Sequence, residues 1–260
     1  MHRLIALWSH PRSMSTATER VMRERGDLTC FHEPFMYDYY VHRAVRVMPH
    51  FEVDPALPQS FEAIRDRLLQ AAEAGPVFLK DMSYYVMPRI LDDPLLAPRL
   101  VNSFLIRDPM KAILSYHKLD PELTLEEVGL EAQWRHFAAL RAQGGAAPVV
   151  LEAEAVQRDT RGVMRAYWAR IGLAPADQAF QWNGDSLPGD WQQVAGWHGD
   201  VATSRGIRPP DPEEDARQRA AFRAAAEATP RLQALLDHHR PFYEKLKAEA
   251  LVAPAANDRH

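Results

Sequence analysis

The sequence predicts an α/β fold in which helices cover both faces of a parallel sheet. Three observations carry that expectation. Five apolar runs of strand length recur within the first 151 residues. Each is apolar along its whole length rather than alternating, as in strands buried on both faces. Longer stretches with helical character separate them, and strand–helix–strand repetition builds layered α/β domains.

The elements follow in order. Residues 3–8 carry Leu4-Ile5-Ala6-Leu7-Trp8, a run far too short to span a membrane and without a small-residue cleavage site behind it. It reads as a buried first strand. Residues 28–32 form the second strand and 77–80 the third. Between them, 61–73 place Phe61, Ile64, Leu68 and Ala72 on one helical face. Residues 100–106 form the fourth strand, and Pro109 suits the first position of the helix behind it. Residues 148–151 form the fifth. Residues 159–171 read as a helix with Asp159 to cap it and Gly172 to stop it. Residues 175–210 are irregular, with Trp182, Trp191 and Trp197 among prolines and glycines. Residues 213–248 read as one helix with Leu232, Leu235 and Leu236 as its apolar stripe, and 253–260 as a frayed end.

Composition narrows the function. The chain is 47% hydrophobic and 25% charged, as in ordinary globular proteins. A net charge of −4 argues against a general affinity for nucleic acid or acidic membranes. Of 31 basic residues, 26 are Arg, the residue suited to bidentate capture of phosphate, sulfate and carboxylate. Cys30 is the one cysteine, which excludes an internal disulfide and a thiolate-caged metal; a cytoplasmic location fits. The 11 His are scattered and His-Glu-x-x-His is absent, so no metal is expected. Glycine is scarce: 12 Gly against 20 Pro, the first being Gly26. Neither Gly-x-Gly nor Gly-Lys occurs, so the dinucleotide fingerprint and the standard triphosphate loop are both missing.

Two stretches still point to anions. The first is Pro11-Arg12-Ser13-Met14-Ser15-Thr16, directly after the first strand and opening a helix. A helix start offers unpaired N–H groups and the positive end of the dipole, so it binds an anion without glycine. Ser13, Ser15 and Thr16 add hydroxyl donors and Arg12 adds charge; the same hydroxyls would also serve as ordinary caps. The second is Arg107-Asp108-Pro109 with Ser115 two turns on. Arg107 ends a buried strand, where open α/β sheets bind ligands; a pairing of Arg107 with Asp108 is the plainer alternative.

Together these stretches resemble the sulfotransferase superfamily, most closely the bacterial and plant branch that opens Leu-Trp-Ser-x-Pro-Arg-Ser. The likeness runs over about residues 3–208 and includes 149–163, 166–182 and a closing loop from Trp197-His198 to Ser204-Arg205-Gly206. It implies a P-loop NTPase-like three-layer fold with a central parallel sheet flanked by helices. It implies one sulfotransferase-like domain over 1–260, with an irregular closing segment at 175–210 and a C-terminal helical segment at 211–250. It further implies sulfuryl transfer from 3′-phosphoadenosine 5′-phosphosulfate to a small-molecule hydroxyl or amine. By this likeness Arg12, Ser13, Met14, Ser15 and Thr16 hold the 5′-phosphosulfate, and Arg107 and Ser115 the 3′-phosphate. Trp197, Ser204, Arg205 and Gly206 cover the adenosine. Met14 stands where the family loop usually has Gly, and a left-handed φ there would strain it.

The same likeness suggests a base. Phe31-His32-Glu33-Pro34 ends the second strand, and a Glu at this place is the proposed base in several relatives; Glu33 matches it. His32 is the rival, because cytosolic members of the superfamily use His, though from a different segment; neighbouring strand residues point to opposite faces, so only one of the two can meet the acceptor. Lys80 ends the third strand and is a candidate to steady the leaving oxygen, with Asp81 a further acid–base candidate. Rival readings are a nucleotide-dependent kinase, disfavoured by the missing Gly-Lys, and a nucleotide binder without turnover. Ser115-Tyr116-His117-Lys118 fits Ser-x-x-Lys, but the companion motifs of serine acyl-transfer enzymes are missing. Tyr37, Tyr39, Tyr40, Tyr84 and Tyr85 lie on the expected acceptor side, where aromatic rings suit an aromatic or sugar ring.

Overall fold

A computed structural model describes residues 2–182, 188–197 and 204–253. Five strands, β1 (Leu4–Ser9), β2 (Thr29–His32), β3 (Val77–Met82), β4 (Leu100–Ile106) and β5 (Val149–Glu152), form one sheet in the order β2-β3-β1-β4-β5. All pairs are parallel, with β1 central between β3 and β4. The register sets Trp8 opposite both Asp81 and Phe104, and His32 opposite Lys80. The carboxyl ends of all five strands therefore meet along one edge.

β1, β3 and β5 are buried along their whole length, whereas the edge strand β2 is partly exposed and β4 is half-buried at its start. Leu4, Ala6 and Trp8 point into one core layer and Ile5 and Leu7 into the other. The first layer is filled by α2 (Phe61–Ala74), α6 (Leu130–Ala142) and α10 (Arg231–Lys247). The second is filled by α1 (Ser15–Arg23) and α8 (Thr160–Ile171). Shorter helices α3 (Ser83–Val86), α4 (Arg89–Asp92) and α7 (Ala153–Arg158), with α5 (Pro109–His117) and α9 (Pro212–Ala228), complete the helical layers. Helices thus flank a central parallel sheet, as in P-loop-like α/β folds.

Local signals account for several helix ends. Ser60 Oγ accepts from Ala63 N at 3.3 Å and starts α2. Asp108 caps α5 through Met110 N at 2.9 Å, with Pro109 in its first turn. Asp159 caps α8 through Gly162 N at 2.9 Å, and Gly172 ends it at φ 74°.

Two elements differ from the reading of the sequence. Residues 213–248 are two helices, because Thr229-Pro230 interrupts them: proline removes a backbone donor and disfavours helical backbone before it, and Thr229 sits at φ −135°, ψ 82°. α6 was not anticipated, because its buried face carries Gln133 and His136 beside Leu130 and Phe137. Both polar groups find partners inside: Gln133 Nε2 donates to the carbonyls of Trp8 (2.9 Å) and Leu105 (3.0 Å), and His136 Nδ1 lies 3.2 Å from Ser83 Oγ. Among the described residues of 175–210 only short 3₁₀ turns form, at Asp177–Phe180 and Gly189–Trp197. No helix among the described residues is long and apolar enough to cross a membrane.

Candidate active site

The loop after β1 turns through residues 10–14 and enters α1 at Ser15. Two of its residues have left-handed backbone, Arg12 at φ 62° and Met14 at φ 68°, ψ 18°. Each such non-glycine residue costs about 1–3 kcal/mol and persists only where the surroundings over-determine it. His10 supplies part of that constraint. Its buried ring takes the Arg107 backbone N–H on Nε2 at 3.0 Å, while Nδ1 lies 3.1 Å from the Pro11 carbonyl. Accepting on Nε2 leaves the proton on Nδ1. Burial pushes this imidazole down to about 3, so it stays neutral. Gly129 packs against it so closely that a Cβ there would lie 3.0 Å from His10 Cβ.

Met14 precedes α1 without any side-chain cap. The hydroxyl of Ser13 is fully buried and has no hydrogen-bond partner among the described residues. The plainer reading, in which these hydroxyls merely cap the helix, therefore does not describe Ser13.

The second anion stretch meets the first directly. Arg12 Nε donates to Ser115 Oγ at 2.9 Å, and its Nη1 to the Trp197 carbonyl at 2.5 Å. Arg107 Nη1 donates to the Arg12 carbonyl at 2.8 Å. Arg107 makes no ion pair among the described residues, and its buried Nε is without a partner. Burial lowers the pKa of this guanidinium, against the opposing pull of Glu154 and Asp108. Asp108 instead caps α5, so the strand-end pairing of Arg107 with Asp108 is not formed.

The carboxyl ends of β2 and β3 carry a buried ionic cluster. Lys80 Nζ bonds Glu33 Oε1 and lies 3.8 Å from Glu19 Oε2. Glu19, on α1, accepts from Arg23 Nε (2.7 Å) and Trp191 Nε1 (3.0 Å), and its other oxygen lies 2.6 Å from His32 Nδ1. Burial, reinforced by Lys80, holds the His32 imidazole well below its usual range. Glu33 itself has left-handed backbone at φ 44°, fixed by its N–H donating to the Lys80 carbonyl at 2.8 Å. That turn swings its carboxylate to the edge of the sheet, with Tyr85 OH 3.4 Å from Oε2.

A cleft of about 730 Å³ opens above these ends. Arg12, Met14, Ser15 and Thr16 line it, as do Glu33, Arg107, Trp197, Ser204 and Gly206. Lys80, His32, Ser13 and Ser115 do not. Lys80 and Ser13 are fully buried behind its wall, and Ser115 is turned toward Arg12. Arg205 is exposed and outside the lining. His198 and the rest of the expected closing loop up to 203 lie outside the described residues. Asp81 is spent on structure: its oxygens take the N–H groups of Phe35 (2.8 Å) and Met82 (2.9 Å), and burial pushes its carboxyl well above the usual range. Tyr40, Tyr84 and Tyr85 line the cleft; Tyr37 does not, its hydroxyl donating to Gln193 Oε1 at 2.7 Å.

The sequence model of the sulfotransferase domain family matches residues 2–250. The chain belongs to the sulfotransferase family. Its fold is similar to that of the sulfotransferase domain of the Synechococcus PCC 7002 olefin synthase. That likeness has a TM-score of 0.51 at 18% identity and covers 88% of this chain and 94% of that one. Among curated proteins it is similar to branched-chain-amino-acid aminotransferase-like proteins 2 and 1 of Arabidopsis thaliana. Identities are 24% and 25%, each over 80% of this chain. The chain spans only 36% and 37% of the length of those two plant proteins.

In this chain of the sulfotransferase family, two site-building residues escaped the reading of the sequence. His10 and Glu19 lie beside or inside the first anion stretch, where each passes for an ordinary polar residue. Only their long-range partners, Arg107 at one and His32 and Trp191 at the other, give them a part. Among the described residues no cluster of three or more His, Cys, Asp or Glu is arranged to hold a metal ion.

Proposed function

We propose that this protein transfers a sulfuryl group from 3′-phosphoadenosine 5′-phosphosulfate to the hydroxyl of a small molecule, with Glu33 as the general base. The observation that carries the donor assignment is the orphaned buried donor Arg107 Nε, on a residue that lines the cleft beside an uncapped helix start. A buried donor without an acceptor costs about 1–3 kcal/mol, and an anion docked in the cleft would relieve it. Two anionic groups suit two arginines on separate strand ends, joined through the Arg12 carbonyl.

In this reading the start of α1, with Arg12, Ser13, Ser15 and Thr16, binds the 5′-phosphosulfate, and the backbone of Met14 shapes the turn. Arg107 binds the 3′-phosphate, with Ser115 orienting Arg12 beside it. Trp197, Ser204 and Gly206 border the nucleoside. The donor supplies the sulfur electrophile and departs as 3′,5′-adenosine bisphosphate. The acceptor oxygen gains the S–O bond and gives its proton to Glu33. Positioning and charge stabilisation supply most of the acceleration in such transfers, with a base adding roughly 10²–10⁴-fold. His32 is turned toward Glu19 and lies outside the cleft lining, so Glu33 has the better geometry. Lys80 is engaged by Glu33 and Glu19, which makes it a support of the base rather than of the leaving oxygen.

The test is a thermal-shift titration of the protein with 3′,5′-adenosine bisphosphate, AMP and ATP. The bisphosphate is expected to stabilise most, and Arg107→Ala to abolish its advantage over AMP. ATP stabilising as well as the bisphosphate, with no transfer from radiolabelled donor to any acceptor pool, would overturn the reading.

A further inference from the structure

The cleft has two unlike halves. Its β1–β4 side carries the arginines, the helix start and the orphaned Arg107 Nε. Its β2–β3 side, where Glu33 stands, is walled by Tyr40, Tyr84, Tyr85, Tyr116, Met48 and Leu119. Resting on the sulfuryl-transfer reading above, we infer that the acceptor is an uncharged, largely apolar alcohol or phenol, seated against this tyrosine wall with its hydroxyl toward Glu33.

The hydroxyls of Tyr40, Tyr84 and Tyr85 are already used. Tyr40 OH donates to Glu127 Oε1 at 2.8 Å and lies 3.4 Å from Tyr84 OH. Tyr85 OH is directed at Glu33 Oε2. Ring edges pack on one another, with Tyr84 and Tyr85 centroids 4.6 Å apart and Tyr40 and Tyr85 5.6 Å apart. The wall therefore offers ring surface rather than open donors. No orphaned buried polar atom belongs to it among the described residues. A polyhydroxylated acceptor would surrender its water there without finding partners.

Charge leads to the same class. Glu127 is fully buried and takes Arg46 Nη1 at 2.6 Å, while Arg46 Nη2 is held by Asp120 at 2.6 Å. Arg46 on this side is thus consumed twice over, and Lys80 is already taken up by Glu33 itself. An anionic acceptor would meet the Glu33 carboxylate beside cations that, among the described residues of this side, already hold carboxylates. A planar apolar body instead gains from contact with aromatic edges and thioethers.

The test measures binding of three probes to the full chain by calorimetry: 2-naphthol, 6-hydroxynaphthalene-2-sulfonate and methyl glucoside. 2-Naphthol should bind at least about tenfold more tightly than either of the others. Met48 is half-buried at the wall, and Met48→Arg should shrink the preference for 2-naphthol over the sulfonate or reverse it. The inference falls if the sulfonate or the glucoside binds as tightly as 2-naphthol, if 2-naphthol does not bind, or if Met48→Arg leaves the ratio unchanged. Binding of 3′,5′-adenosine bisphosphate is measured separately. Its failure beside intact 2-naphthol binding would count against the donor assignment; intact bisphosphate binding with the wrong probe order would count against the acceptor class.

Discussion

Lys80 reaches from the end of β3 to the carboxylate of Glu33 at the end of β2, and the two charges meet with side chains 0% and 8% exposed. Glu19 approaches the same ammonium from α1 at 3.8 Å. One cation thus ties the candidate base to the helix whose start faces the cleft. A pair this buried is expensive to break, because removing one partner strands the other charge.

Lys80→Met is therefore expected to destabilise the protein by about 3–5 kcal/mol. Chemical denaturation reads this directly. Adding Glu33→Gln should recover roughly 0.5–3 kcal/mol of the loss, as expected for groups in contact. Simple additivity of the two substitutions would show that the ion pair is not formed.

Glu33→Gln alone keeps the shape of the side chain and removes its basicity. Binding of 3′,5′-adenosine bisphosphate should be unchanged, with transfer slowed by roughly 10²–10⁴-fold. Unaltered turnover would hand the proton to another group, with His32 first in line.

Met14 offers a test of backbone strain. It sits at φ 68°, where an L side chain costs about 1–2 kcal/mol. Met14→Gly should then be more stable than Met14→Ala by about 1 kcal/mol, since both lose the side-chain packing and only glycine loses the strain. Equal melting temperatures for the two variants would contradict the left-handed turn.

Buried neutral histidines make stability fall on acidification. Burial holds His10 and His136 down at about 3 and His239 at about 4, and holds His32 well below 6.5. A depressed folded value means that the unfolded chain binds the proton first, so stability is full above about pH 6.5 and declines below it. Asp81 and Glu154, whose carboxyls burial raises, pull the other way. The four imidazoles outnumber them, so the melting temperature should drop between pH 6.5 and 5. A flat or rising profile over that interval would show that the imidazoles are not held neutral.

Much of this arrangement was legible in the sequence. Short apolar runs located all five strands, because most positions of a strand inside a parallel sheet are apolar; the polar positions in β2, β3 and β4 did not obscure them. Pro109, Asp159 and Gly172 marked helix ends through local chemistry alone, while the cap at Asp108 went unread. The motif around Arg12 and that around Arg107 stood out as candidate anion stretches because each follows a strand and opens a helix. The continuous helix over 213–248 failed where Thr229-Pro230 breaks it, and α6 was hidden because its buried Gln133 and His136 break the apolar period.

The sequence by itself determined the layered α/β fold and the two candidate anion motifs, since these rest on neighbours within a few residues, and its family resemblance singled out Glu33 as a candidate base. Tertiary structure alone decided which groups face the cleft. Lys80 turned inward to Glu33, Asp81 bonded the backbone of Phe35 and Met82, Arg12 joined Ser115 across 103 positions, and His10 latched onto Arg107. Those choices depend on partners brought together by strand order. A polar side chain taken out of water keeps whichever partner the fold places within hydrogen-bond reach.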